Sequence, residues 1–222
     1  PGQCVEGLWL SLAGLCWGYA LLASAVRLSL AFSKRWAWIC LVLLLAGAAG
    51  RTVQARRAHR RAEVICYGIA GASALEFWQG RKVAAWYEGP EGKILDQCTN
   101  LHIQYGNLSF ASPAGPQSLH GLASAGALIS FRGLRFFIWD GRARTLPPPG
   151  TDYWILRGNP YLPPKVLEGR LPKKGVVIDG SNAPSRAGFY LRWCKAQDIR
   201  AHYTLEQGAW RLPVPALFSD AH

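Results

Sequence analysis

Methionine is absent from all 222 residues of the chain. Because a natural protein is synthesised with an initiating methionine, we expect the chain to be a fragment or a processed product. Residues 1–6 also lack the basic stretch that opens a secretory signal peptide, so we do not expect one here.

Acidic residues are scarce: 13 Asp and Glu stand against 25 Lys and Arg, for a formal net charge of +12. Residues 1–61 hold eight of the basic residues and a single Glu, so more than half of the excess charge lies there. Five arginines of this part form a cluster that is typical of a topology signal beside a membrane, in contact with anionic lipid headgroups. The alternative is contact with the phosphates of a nucleic acid. The cluster comprises Arg51, Arg56, Arg57, Arg60 and Arg61.

Clustered metal ligands are missing from the sequence. The six cysteines form no C-x-x-C pair, and the five histidines form no H-x-H or H-x-x-x-H pair. Zinc ribbons carry such pairs, and so do most di-metal hydrolases. A Walker loop, a G-x-S-x-G elbow and a G-x-G-x-x-G loop are absent as well. The sequence therefore predicts no metal and no cofactor, and it does not favour an enzyme.

Hydrophobic residues make up 50% of the chain, and two stretches concentrate them. Residues 7–26 are 20 positions without a charge, and residues 36–50 are 15 more. A membrane span needs ~20 apolar residues, so the first stretch predicts a transmembrane helix and the second a shorter one. The alternative is a pair of helices buried in a protein core. Four tryptophans at the ends and within these stretches fit interfacial anchors, which favours the membrane: Trp9, Trp17, Trp36 and Trp38.

The pattern after the arginines predicts a mixed sheet with helices packed on it, because an antiparallel opening is followed by alternating strands and helices. We expect residues 107–125 to be a loop, since they are rich in Ser, Gly and Pro. Predicted strands cover residues 63–69, 73–78, 82–87, 127–131, 134–139, 152–156, 176–178, 199–204 and 209–212. Predicted helices cover residues 91–105, 163–168 and 186–197.

The run Asp179, Gly180, Ser181 and Asn182 follows the most apolar strand of the last third. Asp and Asn bond their own backbone in turns, and glycine takes a positive φ, so the run predicts a structural turn. The carboxyl end of a central strand is also where α/β sheets present functional loops. Ser181 as a nucleophile is the weaker alternative, since no histidine is expected beside it.

Four short motifs carry a resemblance to a known family. They are V-V-I-D-G-S-N at residues 176–182, W-C at 193–194, H-Y-T at 202–204 and G-A-W at 208–210. With these motifs the chain resembles the C-terminal region of ComEC competence proteins, the inner-membrane proteins of DNA internalisation, in the variant of the Bacteroidetes group. The positions that match the family motifs are Asp140, Asp179, Gly180, Ser181, Asn182, Cys194 and Gly208.

The resemblance implies a metallo-β-lactamase-like αββα sandwich, of class α+β or α/β. The chain departs from the family pattern at each metal motif: C-Y-G-I-A-G-A-S at 66–73 replaces the D-V-G-Q-G-D turn, and G-N-P-Y at 158–161 replaces the histidine loop. The H-x-H-x-D-H motif is absent. Asp140 stands where the family has a bridging ligand and would be its relic. We therefore expect a degenerate sandwich without hydrolase activity.

The predicted organisation has three parts: residues 1–50 are the end of a transmembrane region with two helices, 51–61 a basic juxtamembrane segment, and 62–222 the soluble domain. The resemblance implies the C-terminal part of a DNA-uptake channel that guides or gates single-stranded DNA. The alternatives are a metal-dependent nuclease that degrades one strand, and a structural membrane subunit unrelated to DNA.

The resemblance also implies a multi-pass protein of the bacterial inner membrane. The expected partners are single-stranded DNA, membrane lipid, the upstream channel region of the same protein and other competence proteins. The arginine cluster favours the cytoplasmic face for residues 51–61, whereas reception of incoming DNA favours the outer face for the domain. These two arguments point to opposite faces of the membrane, and the sequence favours neither.

Overall fold

The computed structural model describes residues 12–30, 33–104, 119, 121–140, 146–161 and 169–214. The helices are α1 (Leu12–Leu30), α2 (Lys34–Arg60), α3 (Glu91–Gln104), α4 (Pro184–Ala196) and α5 (Thr204–Gln207). The strands are β1 (Ala62–Cys66), β2 (Ser73–Gln79), β3 (Lys82–Glu88), β4 (Leu122–Ala125), β5 (Leu128–Phe131), β6 (Leu134–Asp140), β7 (Tyr153–Arg157), β8 (Gly175–Ile178), β9 (Ala201–Tyr203) and β10 (Trp210–Pro213).

Helices α1 and α2 pack against each other as a hairpin. The indole Nε1 of Trp17 donates to the carbonyl of Leu43 at 3.1 Å, and the thiol of Cys40 lies 3.2 Å from the Ser24 hydroxyl. Gly47 faces the Trp17 ring so closely that any Cβ there would overlap it. Many apolar side chains of the hairpin remain exposed: Leu15, Tyr19, Leu22, Val26, Leu30, Trp38, Ile39, Leu41, Val42, Leu44, Leu45 and Val53.

The two helices differ from the predicted membrane spans. Within the described ranges, none of the helices combines the length and the apolar character needed to cross a bilayer. The prediction of two spans at residues 7–26 and 36–50 is therefore not confirmed. Helix α1 carries Arg27 near its end, and α2 begins at Lys34 and continues through the arginine cluster to Arg60. The basic segment predicted as a separate part is thus helical up to Arg60.

Two sheets form the rest of the fold, where the sequence pattern alone predicted one mixed sheet. The smaller sheet is antiparallel, with strand order β10-β1-β2-β3. The larger has the order β4-β5-β6-β7-β8-β9, antiparallel from β4 to β6 and parallel from β6 to β9. The predicted change from antiparallel to parallel pairing is confirmed, and it lies within the larger sheet.

Three clusters of buried side chains define the layers. One fills the space between the sheets and centres on Phe77, whose ring meets Phe131, Phe136 and Trp86 edge-on at 5.3–5.4 Å. A second joins the outer face of the smaller sheet to α3, and a third joins the outer face of the larger sheet to α4. The order of layers is therefore helix, sheet, sheet, helix. Truncation of Phe77 to alanine would cost ~3–5 kcal/mol, because its ring touches both sheets.

Most predicted elements occur close to their predicted bounds, with one clear error. Residues 122–125 form the edge strand β4, although the segment was predicted as loop. Its sequence, L-A-S-A, has only one large apolar side chain, and pairing with β5 rather than intrinsic preference makes it a strand. The predicted helix at 163–168 lies outside the described residues.

Candidate functional site

The carboxyl ends of four parallel strands meet at one edge of the larger sheet. Asp140 ends β6, Arg157 ends β7, Asp179 follows β8, and Thr204 follows β9. Because this edge is where α/β sheets present functional loops, it is the candidate site. We call it the carboxyl-edge site and define it by Asp140, Arg157, Asp179, Ser181 and Asn182.

Asp179 is a fully buried carboxyl group at the centre of this edge. Its Oδ1 accepts hydrogen bonds from the Ser181 backbone N–H at 3.0 Å, the Ser181 hydroxyl at 2.5 Å and the Asn182 side-chain amide at 3.1 Å. Burial raises the pKa of Asp179 to about 6, and the Ser181 hydroxyl and the charge of Arg157 offset this only in part. Asp179 therefore belongs to a closed turn, as predicted.

Ser181 and Asn182 also fasten the loop that follows β7. The Ser181 hydroxyl accepts from the Gly158 N–H at 2.8 Å, and the Asn182 Oδ1 accepts from the Asn159 N–H at 3.0 Å. The Asn182 amide donates to the Leu156 carbonyl at 2.7 Å. The hydroxyl of Ser181 thus both donates and accepts within the protein, which favours the structural interpretation over a nucleophile.

Asn159 closes the same junction from the other side. Its Oδ1 accepts from the Ala183 N–H at 2.7 Å, directly before α4. The N-cap residue of α4, Ala183, has no side chain that could accept a hydrogen bond from the first N–H groups of the helix. Asn159, from a distant loop, accepts one instead. Asn159 has a positive φ of 59°, a conformation that asparagine tolerates better than most residues. The Tyr190 hydroxyl donates to the Pro160 carbonyl and ties the loop to α4.

Gly180 is required by a close approach, and not by the positive φ that the sequence predicted. Its φ lies outside the left-handed region, but a Cβ would overlap the backbone of Ile69. The Gly71 N–H donates to the Gly180 carbonyl at 2.9 Å. Gly68 approaches the Thr204 carbonyl in the same way. Glycines therefore let the loop after β1 cross the edge of the other sheet.

Asp140 lies at this edge, paired with an arginine. Its Oδ2 is 3.5 Å from an Nη atom of Arg157, and the Nε atom of Arg157 is 3.7 Å from Glu88 Oε2. The guanidinium thus stands between carboxylates from both sheets.

The Cys66 thiol at the end of β1 lies near the same edge. Burial and the charge of Asp179 raise the pKa of this thiol. The structure therefore brings Asp140 and the Asp179 turn to one edge.

Two predicted motif positions lie elsewhere. Cys194 is buried in the contact between α4 and the larger sheet, and burial raises the pKa of its thiol to about 12. Gly208 ends α5 with a φ of 80°, and its carbonyl lies 2.9 Å from His202 Nε2. Cys194 therefore serves packing, and Gly208 serves the reversal of the chain after α5.

Arg61 is the member of the arginine cluster whose side chain the structure describes, and it is not among the residues of the carboxyl-edge site. Arg61 is exposed, with its Nε atom 4.0 Å from Glu63. The backbone of the other four belongs to α2, and their side chains lie outside the described residues: Arg51, Arg56, Arg57 and Arg60.

A buried polar network centred on Glu76 escaped the sequence analysis. Its Oε2 accepts from the Tyr67 hydroxyl and the Trp78 indole, each at 2.7 Å, and its Oε1 faces the Tyr87 hydroxyl and His102 Nε2. Burial opposes ionisation of Glu76, but the hydrogen bond and charge of His102 and the two tyrosines lower its pKa below the ordinary value. A glutamate in the apolar strand S-A-L-E-F-W-Q was the available signal.

The residues that the structure describes contain no group of three or more His, Cys, Asp or Glu placed to hold a metal ion. The carboxylates of the carboxyl-edge site instead face arginine, hydroxyl and amide groups. The chemistry shown by these contacts is hydrogen bonding that joins loops.

The sequence model of one protein family, the ComEC C-terminal domain, matches residues 64–214 of the chain. The chain belongs to this family. The resemblance to ComEC competence proteins is therefore confirmed, whereas the Bacteroidetes-group variant stays a prediction. A ComEC-type protein is associated with competence DNA uptake and with membranes. Comparisons of the chain with curated proteins and with solved structures gave no match.

The region matched as a ComEC C-terminal domain runs from β1 to the end of β10. It includes both sheets, α3, α4 and the carboxyl-edge site, and it leaves out the α1–α2 hairpin. The family assignment thus applies to the domain that bears Asp140 and Asp179.

Proposed function

We propose that the ComEC C-terminal domain of this chain guides or gates single-stranded DNA at a competence channel, and that it does not hydrolyse DNA. The observation that carries the proposal is the family match over both sheets. The domain is proposed to be a degenerate metallo-β-lactamase-like sandwich, and the layer order of helix, sheet, sheet, helix supports this.

The charge of the chain supports a nucleic-acid partner. The formal net charge is +12, and a basic protein attracts polyphosphate chains over distances of about a Debye length. The same charge attracts anionic lipid, so the arginine cluster is proposed to serve the membrane, the DNA or both in turn.

The contacts of the carboxyl-edge site support guidance over cleavage. Asp140 faces the guanidinium of Arg157, and Asp179 accepts three hydrogen bonds from its own turn. A metal ion, or a substrate proton to be abstracted, would have to compete with these partners for Asp140 Oδ2 and Asp179 Oδ1. The residues of this edge are therefore proposed to hold the loops between the sheets.

The exposed apolar side chains of α1 and α2 support contact with lipid or with the upstream channel region. A large exposed apolar surface marks an interaction surface in most proteins. We propose the inner membrane of a bacterium as the location, with the hairpin as the element that holds the domain there.

Incubation of the full chain with a labelled single strand tests guidance against cleavage. The bound fraction is measured by anisotropy, and the length of the recovered DNA on a denaturing gel, with Mg²⁺, Mn²⁺ or Zn²⁺ added in turn. We expect binding with DNA of unchanged length. Shortened DNA from the parent, but not from Ser181→Ala or Asp179→Asn, would replace the proposal with a nuclease at the carboxyl-edge site.

A further inference from the structure

A groove lies at the edge of the larger sheet opposite to the carboxyl-edge site. Residues at the amino-terminal ends of β7, β8 and β9 line the groove, and residues of β10 in the smaller sheet line one side of it. We call it the amino-edge groove. The residues that matter for its chemistry are Tyr153, Lys174, Arg200, His202, Trp210 and Leu212.

Two aromatic rings form one wall of the amino-edge groove. Tyr153 and Trp210 are half-buried, and their ring centroids are 5.2 Å apart at an interplanar angle of 61°. Phe136 stacks on Tyr153 from the core side at 5.6 Å. Trp210 is opposite Cys66 in the β1–β10 pairing, which orients it toward the space between the sheets. The wall is therefore held by the core while it remains partly open to solvent.

Cationic side chains also line the amino-edge groove, and another cation lines the depression next to it. Lys174 and Arg200 are exposed residues that line the groove, and Lys174 lies 3.7 Å from Asp152. A second depression shares Arg200 and Ala201 with the groove and adds Lys195 and one acidic residue, Asp198. The two depressions thus meet at Arg200 and Ala201, and their linings together hold three cations and one acidic residue.

The backbone fixes the position of Arg200, which lines both depressions. Its carbonyl accepts from the Val176 N–H at 2.8 Å. Gly175 allows this approach, because a Cβ at that position would lie 2.9 Å from the same carbonyl. Arg200 is also close enough to Tyr153 for its charge to act on the phenol. The cation and the aromatic wall therefore belong to one site.

We propose that the amino-edge groove is a binding site for single-stranded DNA, in which a base stacks on Trp210 and the phosphates contact Arg200, Lys174 and Lys195. A partly exposed aromatic wall beside a line of cations is the arrangement that binds single strands without reading their sequence. A duplex hides the faces of its bases and gains nothing from the aromatic wall. This inference rests on the proposed function, and it names the surface through which the domain holds the strand.

Binding by the full chain and its variants tests the site, with a labelled oligothymidylate of about 12 nucleotides, within the ~4–16 nucleotides that one small domain covers. Trp210→Leu keeps an apolar side chain for packing and removes the indole face, and Trp210→Phe keeps a ring. Arg200→Gln removes one cation. The matched control for the aromatic change is Tyr161→Ala, since Tyr161 is exposed at the opposite edge. The matched control for the cation is Arg211→Gln, because Arg211 lies on β10 between the lining residues Trp210 and Leu212 but does not itself line the groove.

We expect Trp210→Leu to bind about 5- to 150-fold more weakly than the parent, since one stacked base is lost, and Trp210→Phe to recover most of the affinity. Arg200→Gln should lower the slope of log affinity against log salt by ~0.7. Thermal melting identifies any variant that fails to fold, and in that case Arg200→Gln with its control decides.

The results separate the two proposals. Binding by the parent that Trp210→Leu and Arg200→Gln weaken no more than their controls would overturn the groove and leave the proposed function standing. Equal affinity for a duplex and a single strand would also overturn the groove. A parent chain that binds no DNA would overturn the proposed function, and the groove with it.

Discussion

The Nε2 atom of His102 lies 2.7 Å from Oε1 of Glu76, and both side chains are fully buried. The contact joins α3 to the middle of β2. Three further groups, the Tyr67 and Tyr87 hydroxyls and the Trp78 indole, face the same carboxylate. Both oxygens of Glu76 therefore have hydrogen-bond partners, and the contact with His102 holds α3 on the smaller sheet.

Glu76→Gln should lower the free energy of unfolding by ~1–3 kcal/mol, the usual cost of leaving a buried donor without its acceptor. If the amide NH₂ takes the place of Oε2, it faces the Trp78 indole, which can only donate. Urea unfolding of the full chain measures the change. Glu206→Gln, at an exposed site on α5, should stay within about 0.5 kcal/mol of the parent. Equal costs for the two variants would show that the network adds no stability.

Asp179 gives a dependence on pH of defined sign. Its folded-state pKa of about 6 is above the unfolded value of ~3.9, so the folded state holds the proton more tightly. Its contribution to stability is complete below pH ~4 and is lost as the pH rises through about 6, on the order of 3 kcal/mol in total. Asp179→Asn keeps an acceptor oxygen and removes the titration.

We therefore expect Asp179→Asn to flatten the profile of unfolding free energy between pH ~4 and ~7 and to be at least as stable as the parent above it. Asp198→Asn is the control, since Asp198 is exposed and asparagine also tolerates its φ of 54°. It should keep the parent profile. A profile of Asp179→Asn that parallels the parent would refute the raised pKa.

Gly180→Ala should destabilise the domain by several kcal/mol or prevent folding, because the new Cβ would overlap the backbone of Ile69. The control is Gly188→Ala within α4, where the nearest atom to a Cβ is the flexible end of Arg192 at 3.6 Å. That change should stabilise the chain by up to ~1 kcal/mol, as alanine favours helix over glycine. Thermal melting of both variants measures the contrast, and similar melting temperatures would contradict the close approach.

The exposed apolar face of the α1–α2 hairpin predicts association with lipid. The full chain should float with vesicles of anionic phospholipid in a density gradient. Replacement of Leu22, Val42 and Leu45 by serine should reduce the floating fraction, since each loses ~1.5–3 kcal/mol of apolar burial. Phe189→Ser with Leu205→Ser, exposed in the other part of the chain, is the control. Flotation unchanged by the hairpin variant would assign lipid binding to another surface.

Sequence periodicity predicted the strands well where large apolar side chains alternate or run together, as in β2, β6 and β8. It failed at β4, whose small residues carry no pattern, and at Gly180, where the reason for glycine is a contact with Ile69 more than a hundred positions away. The Glu76 network was missed for the same reason, since His102 meets Glu76 only when α3 folds onto the sheet. The predicted end of the second hydrophobic stretch at residue 50 falls short of the helix end, because helix α2 continues through the arginines to Arg60.

The carboxyl-edge site was predicted in part. The motif placed Asp179, Ser181 and Asn182 in one turn, and local spacing is enough for that prediction. The pairing of Asp140 with Arg157 depends on the parallel register of β6 and β7, which no local pattern contains. The amino-edge groove, too, arises from strands distant in sequence and from the meeting of two sheets.

The salt dependence of single-strand binding tests the central claim, that this ComEC C-terminal domain and its basic segment hold DNA by its phosphates. Anisotropy with a labelled single strand is measured across a salt series for the full chain and for the variant in which Arg56, Arg57, Arg60 and Arg61 are alanine. We expect affinity to fall steeply with salt for the parent, and the variant to lose ~0.7 of log–log slope for each phosphate contact removed. No binding by the parent at low salt, or binding indifferent to salt, would contradict the claim.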